Sequence, residues 1–446
     1  MGSIGGKAVV VGGSIGGLVA AAALTGRFDQ ITVIDRDTLP PDDRPRRGVP
    51  QGVHAHALLI SGRLGLEELF PGLTDELIRD GAVPFDPGQD LLFVQMGAPR
   101  IRFRTDMLGI SMSRSFLEFS IRRRVTALPG VEIRDRVAAG GLRGRDGRVT
   151  GVELDDGTVL DADLVVDATG RGGGRSDRWL EALGFPAPSI ATVRINVGYT
   201  TQLLRRKPGD LPDDGVIALM ADMPPHRRRA AAVFPVEGDR WVVTIGGWHR
   251  EHAPTDPDGF LRFAEGLPAP WVAGLLSRAE TLGDAEFRQY PAARRRYYER
   301  LRSRPAGYVA LGDTICSFNP LYGQGMTVAT LEALALRRSL DRHREPSPAM
   351  ARTYYRAAGK IVETPWRMAT GGDFMYPQTS GPKPPGTDLL NWYARRVLLA
   401  THVSPEVHRT ILDVQHLLAS PAALLRPSTV VRSFLAARRS PVRSPR

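Results

Sequence analysis

A run of glycines between a strand and a helix constrains this chain more than any other feature. Lys7–Val11 is a short β-rich run, Gly12-Gly13-Ser14-Ile15-Gly16-Gly17 follows it directly, and Leu18–Leu24 is Ala- and Leu-rich and helix-forming. Gln30–Asp35 is a second strand ending in an acid, so the stretch spells β-α-β within about thirty residues. At such a junction glycine permits a tight turn and lets backbone approach a pyrophosphate, while the helix N-terminus presents oriented N–H groups. Ser14 stands at the middle glycine of G-x-G-x-x-G, where a small hydroxyl residue fits. Asp35, 23 residues after Gly12, lies where an acid accepts hydrogen bonds from ribose hydroxyls. A glycine cluster alone is an ordinary turn. Strand, helix and acid in register make it a dinucleotide site, without saying which dinucleotide.

A second glycine-rich junction stands far along the chain. Tyr308–Leu311 is a short strand stopped by Gly312-Asp313, and Pro320-Leu321-Tyr322-Gly323-Gln324-Gly325 precedes a helix beginning near Met326. The pattern suits a flavin. Asp313 can hold the ribityl chain, the glycines let the loop pass close to a flat ring, and the helix N-terminus stabilises negative charge at the N1/C2=O edge of the reduced ring.

From Gly312-Asp313 through Pro320 to Gly323-x-Gly325-Met326 the spacing resembles, without a gap, the Gly-Asp motif of the FAD-dependent monooxygenases typified by para-hydroxybenzoate hydroxylase and squalene epoxidase. Pro320-Leu321 and Gly325-Met326-Thr327-Val328-Ala329 look more like the epoxidase branch, since aromatic hydroxylases usually carry His at the position of Cys316 and Asn at that of Thr327. The resemblance covers roughly residues 7–345. It implies cofactor contacts at Gly12, Gly13, Ser14, Ile15, Gly16, Gly17, Asp35, Arg114, Asp313, Pro320, Gly323, Gln324, Gly325 and Met326. Arg36, Arg47 and the Val137 backbone match less tightly, and for these an exposed Arg or a core Val is an equal reading. Pro320, Tyr322 and Gly323 are candidates to shape the reactive flavin face.

Asp163–Arg171 sits where the family has its A-D-G segment, which implies contact with both FAD and the pyridine nucleotide. Thr169 replaces the Asp there, a departure similar to flavin-dependent prenyl-chain reductases of the same fold. His54 and His56, with Gln51, follow an Arg-rich loop and are candidates for the ring edge. Their alternation is also H-x-H metal spacing, but no third ligand stands nearby, which argues against a metal. Cys316 either faces the flavin or, the favoured reading, fills an apolar gap.

The expected architecture is α/β with an α+β substrate lobe: a single Rossmann-type FAD-binding domain, an interleaved mainly-β substrate domain and a helical C-terminal region. The FAD-binding segments are placed at 1–85, 107–190 and 291–345, with substrate-lobe strands at 86–106 and 191–290. Phe116–Val125 reads as helix, Val149–Leu160 as a hairpin around Asp155-Asp156-Gly157, Val216–Met220 and Trp241–Ile245 as strands, and helical signal returns after Pro291. Residues 346–439 are expected to be helical and to cap an apolar pocket, followed by a disordered Ser/Pro/Arg tail at 440–446.

What the resemblance implies chemically is insertion of one oxygen atom from O2, through a flavin C4a-hydroperoxide, into a lipophilic natural product. Alkene epoxidation is the preferred reaction; aromatic hydroxylation and prenyl-chain reduction are the alternatives. NADPH or NADH is the implied transient reductant, since no second nucleotide fingerprint follows the first. No protein nucleophile is assigned. A halogenase shares this lobe, but its W-x-W-x-I-P signature and glycine-flanked early Lys are absent.

The formal charge of +11 invites a nucleic-acid reading. Yet Arg122–Arg124, Arg227–Arg229 and Arg294–Arg296 lie far apart with no interleaved aromatic platform, so they are read as solvated faces and no nucleic acid is expected. One cysteine excludes an intrachain disulfide. With no secretory signal ahead of the first strand and no membrane-length apolar run, a cytoplasmic location is expected, with at most weak peripheral membrane contact.

Overall fold

The computed structural model describes residues 3–171 and 174–442. The chain opens with β1 (Gly5–Val11), α1 (Ile15–Leu24) and β2 (Phe28–Ile34), then α2 (Ile60–Leu69), α3 (Leu73–Arg79), β3 (Val83–Phe85), β4 (Leu91–Gln95), β5 (Ala98–Pro99) and β6 (Gly109–Ser111). Next come α4 (Arg114–Thr126), β7 (Val131–Arg134), β8 (Ala139–Arg145), β9 (Arg148–Leu154), β10 (Val159–Asp161), β11 (Leu164–Asp167) and α5 (Arg175–Ala182). The long strands β12 (Ile190–Arg205), β13 (Ile217–Ala221), β14 (Arg229–Val236) and β15 (Arg240–Gly247) precede α6 (Pro257–Glu265), α7 (Trp271–Arg278) and β16 (Glu286–Arg296). The chain closes with β17 (Tyr308–Ala310), β18 (Cys316–Ser317), α8 (Gly325–His343), α9 (Pro348–Asp373), α10 (Thr387–Ala400), α11 (Pro405–Gln415) and α12 (Pro427–Ala437).

Two sheets organise these elements. The first is parallel, in the order β17-β11-β1-β2-β7; its strands β1, β11 and β17 carry buried apolar runs, as expected where both faces are covered. β1 is central, and its register with β11, Val11 opposite Asp167, sets the first glycine junction beside Ala168 and Thr169. Asp167 is fully buried and accepts from Thr169, Ser176 and Tyr308, so the A-D-G-like segment is anchored by neutral donors. The second sheet runs β18-β16-β12-β15-β14-β13-β4-β5. One of its faces packs on α6 and α7 through a separate core including Val233, Val243, Phe260 and Leu275.

Three expectations are corrected. The segment after Pro291 is not helix: β16 continues through it, because β12 bulges between Arg194 and Val197 and the proline falls opposite that bulge, where a missing N–H is tolerated. Arg295 and Arg296 are not solvated but 3% and 5% exposed, drawn inward by Glu299, Glu363 and Asp177. Ser440 is ordered and bonds His402 at 2.8 Å; residues 443–446 of the expected tail lie outside the described residues. No helix among the described residues is long and apolar enough to cross a membrane.

Candidate functional site

At the first junction Gly12 takes a φ of 112°, in the left-handed region that favours glycine, and a Cβ there would sit 2.5 Å from the Ala168 carbonyl oxygen. A Cβ on Gly17 would overlap the Gly12 carbonyl oxygen outright. Ser14, at the N-cap of α1, does not cap it. Its hydroxyl donates to Glu118 at 2.9 Å and accepts from Arg114 at 2.7 Å. The leading N–H groups of α1, Ile15 and Gly16 among them, therefore have no side-chain partner and are left for an anion.

Beside this helix start lies a compact charge cluster. Asp35 accepts from the Gly13 N–H at 2.7 Å and the Asp37 N–H at 2.8 Å, and the Val137 N–H donates to its carbonyl at 2.8 Å. Arg46, not Arg47, enters the cluster: its guanidinium reaches Asp35, Asp37 and Glu118, the last at 2.7 Å. Burial pulls the Arg46 guanidinium down, but Glu118 and Asp35 outweigh it and hold it above its ordinary value. Arg36 and Arg47 are exposed. Arg46, Asp37 and Glu118, the last also the pairing partner of Arg114, escaped the sequence reading. The only sequence cue was the Arg-rich loop itself.

The second junction sits across α1. Gly312 donates its N–H to the buried Glu332 at 2.6 Å, fixing the strand end. Asp313 follows, and its side chain makes no hydrogen bond to any described residue. Burial raises its pKa, and Arg171 and Arg114 counter that rise. Asn319 caps the following turn by accepting from Leu321 N–H at 3.1 Å. Gly323, at φ 65°, closes the turn so tightly on residues 55–57 that a Cβ would lie 2.8 Å from that of Ala57. Gln324 leaves α8 uncapped and its buried Oε1 without a partner, and Gly325 and Met326 form the open first turn.

Behind this turn is a buried carboxyl that the sequence did not single out. Asp373, fully buried at the end of α9, accepts from Trp248 at 2.9 Å, Asn319 at 2.8 Å and Tyr322 at 3.4 Å through one oxygen; the other has no partner. Burial pushes it up to about 7 against the three donors.

His54 faces the second sheet. Its Nδ1 is 2.7 Å from the Thr201 hydroxyl, its ring meets Tyr199 edge-on at 4.6 Å, and Thr201 and Thr244 share a hydrogen bond of 2.6 Å. The Ala55 N–H donates to Thr244 at 3.0 Å. Burial pulls His54 down to about 4, helped by Arg288, and His56 down to about 3, helped by Arg114, so both rings are neutral at neutral pH. Gln51 only receives the His54 N–H through its backbone carbonyl. Cys316 is buried in the core, where burial raises its thiol. Among the described residues no cluster of three or more His, Cys, Asp or Glu is placed to hold a metal.

Comparison with known proteins agrees with this geometry. The family model for tryptophan halogenase matches residues 114–183, from Arg114 through the A-D-G-like segment. Protein Rv3254 of Mycobacterium tuberculosis is 34% identical over 385 residues, covering 83% of this chain and 80% of that protein. PqsL, a probable FAD-dependent monooxygenase from Pseudomonas aeruginosa, superposes with a TM-score of 0.62 at 19% identity over 83% of this chain and 97% of its own. The flavin-dependent brominase Bmp2 gives 0.68 at 12% over 98% of each, and 2-methyl-3-hydroxypyridine-5-carboxylic acid oxygenase gives 0.59 at 20% over 82% and 89%. At these identities the likeness to solved structures is one of fold, the α/β fold of the flavin monooxygenases. None of these matches favours the epoxidase branch.

Proposed function

We propose that this chain, which belongs to the same family as Protein Rv3254 of Mycobacterium tuberculosis, is an FAD-dependent monooxygenase that inserts one oxygen atom from O2 into a lipophilic substrate by alkene epoxidation. The observation that carries the reading is the segment after β11, which touches both junctions. Gly12 lies so close to it that a Cβ would sit 2.5 Å from the Ala168 carbonyl oxygen, and the Gly170 N–H donates to the Thr314 hydroxyl, next to Asp313, at 3.0 Å. Both junctions therefore open on one groove, as a dinucleotide with a flat ring at one end requires. The residues fit FAD: the uncapped start of α1 for the pyrophosphate, Asp35 for the ribose, the unpartnered Asp313 for the ribityl chain, and the start of α8 for the anionic edge of the ring. Bound and reduced, FAD supplies activation of O2 and transfer of one of its atoms.

The protein's own part is positional. Asp373 and Asn319 hold the turn Pro320–Tyr322, and Leu321 packs over Gly246 of β15, so the turn lies against the substrate-lobe sheet. The neutral His54 with Thr201 and Thr244 forms a satisfied wall that keeps water out. Oxygen transfer to an alkene needs no base, whereas hydroxylation of a phenol gains from one that takes the phenolic proton; His54, pulled to about 4, is a weak base at neutral pH. NADPH or NADH, docking transiently, is the reductant of this proposal.

The test is oxygen stoichiometry. FAD-reconstituted protein given NADPH or NADH should consume one O2 per oxygenated alkene. Product formed without oxygen uptake would make the protein a reductase, and a phenol outperforming every alkene would make it an aromatic hydroxylase. The tryptophan halogenase match favours a second reading, which a halide requirement would establish. Against it, the lysines are Lys7, Lys207, Lys360 and Lys383, none on the loops around His54 or Pro320.

A further inference from the structure

Strand register across the second sheet lines up two rows of side chains on one face. One row is Tyr199, Gly246, Ala230, Ala221 and Gln95; the other is Thr201, Thr244, Ala232, Leu219 and Phe93. Their neighbours along the strands, Val243, Val233, Met220 and Val94, point into the core under α6 and α7, so both rows face the other way. At the β12 end His54 contacts Thr201 and Tyr199, and Leu321 of the flavin-face turn lies over Gly246. In between, Ala230, Ala232, Ala221 and Leu219 are only half-buried, a small-residue apolar floor with surface to spare.

Arg100 closes the far end of both rows. Its guanidinium lies 4.1 Å above the Phe93 ring and donates to the Gln95 side chain. It is 4% exposed, yet no carboxylate among the described residues pairs with it; its Nη1 reaches only the Gln415 amide at 3.2 Å, and its Nε has no partner. Burial pulls its pKa down to about 9. A buried guanidinium without an anion is costly to keep, and an anion arriving there would be held strongly. His408 lies alongside, with its ring Nε2 unpartnered.

We propose that Arg100 binds the carboxylate of an elongated apolar acid whose chain runs along these two rows, with its reactive carbon beside His54 and the flavin-face turn. The inference rests on the monooxygenase reading and adds a substrate class to it. From β4 to β15, under Leu321, there are three inter-strand spacings, and to β12, beside His54, four, so carboxylate and reacting carbon lie roughly 14–19 Å apart. A single guanidinium, with His402 and His408 kept neutral by burial, balances a monoanion rather than a dianionic phosphate.

The test uses the FAD-loaded full chain and reads binding without turnover. Dodecanoate, dodecanol and dodecyl phosphate are titrated by calorimetry while flavin absorbance is followed. Dodecanoate should bind about tenfold more tightly than dodecanol, and Arg100→Gln should erase that preference while retaining FAD. Equal affinity for acid and alcohol in the unmodified protein, a preference that survives Arg100→Gln, or tighter binding of the phosphate overturns the proposal. The acid-alcohol comparison needs no variant, so it stands even where Arg100→Gln misfolds. Oxygen uptake with an unsaturated acid is measured separately: acid-selective binding lost in Arg100→Gln, without oxygen uptake, keeps the Arg100 site and removes the monooxygenase reading.

Discussion

The Asn319 carboxamide donates to the Asp373 carboxyl at 2.8 Å, and the same oxygen accepts the Trp248 indole N–H at 2.9 Å. Three parts of the molecule meet there: the turn that carries Pro320–Tyr322, the end of α9 and the segment following β15. The turn is thus held from behind by a group that is itself ionisable and wholly buried.

Asp373 makes stability depend on pH in a defined direction. Its folded-state pKa, about 7, is raised above the ordinary 3.8, so the fold favours the protonated form, and that contribution is lost as pH rises from about 4 to about 7. Asp373→Asn, neutral throughout, should gain on the unmodified protein across this window by on the order of 4 kcal/mol. Melting temperatures of both proteins between pH 4 and pH 8 check it; a constant difference refutes the burial of an ionisable group here.

The buried histidines act in the opposite sense. His54, His56, His408 and His416 are all pulled by burial to about 3 or 4, so below about pH 6.5 the unfolded chain takes up protons that the fold excludes. Stability present above pH 6.5 should therefore fall as pH drops toward 4. Denaturant unfolding at pH 7 and pH 5 should show lower stability at pH 5, and His416→Gln should reduce the difference.

Arg46 is the keystone of the acidic cluster. Removing it in Arg46→Ala leaves Asp35, Asp37 and Glu118 facing one another with only Arg114 in support, a loss of about 3–5 kcal/mol that should also weaken FAD retention. Arg47→Ala, at an exposed position, should change stability by less than about 0.5 kcal/mol. Equal effects of the two in chemical denaturation would show that the loop is placed differently.

Gly17→Ala tests the first junction by shape alone. Its methyl would overlap the Gly12 carbonyl oxygen, so the turn must open and the purified protein should lose its bound flavin. Gly26→Ala, where nothing lies within 4 Å of the added carbon, should cost only the strain of its positive φ, roughly 1 kcal/mol, and stay yellow. Absorbance of the two proteins near 450 nm would decide, using an order-of-magnitude threshold of about one flavin per chain.

Much of the flavin lobe was legible because its signals are local. The change from strand to helix at Gly12–Gly17, the acid at Asp35 and the strand before Gly312-Asp313 each lie within a short window, and β1, α1, β2, β17 and α8 form where those windows place them. The loop before His54 was not legible in the same way. Three arginines at 44, 46 and 47 carry no periodicity, and Arg46 is selected by Glu118, which comes from α4. Pro291 misled for a similar reason, since the bulge that accommodates it belongs to β12.

The amino-acid order by itself determined the class of the fold and the two glycine junctions, because backbone freedom and strand-to-helix transitions are set by neighbouring residues. Tertiary structure alone decided that the segment after β11 joins those junctions, that Asp373 backs the turn Pro320–Tyr322, and that His54 and Arg100 terminate the same rows of side chains. Charges and strand partners select one another by distance in space, and that distance is fixed only after the chain has folded.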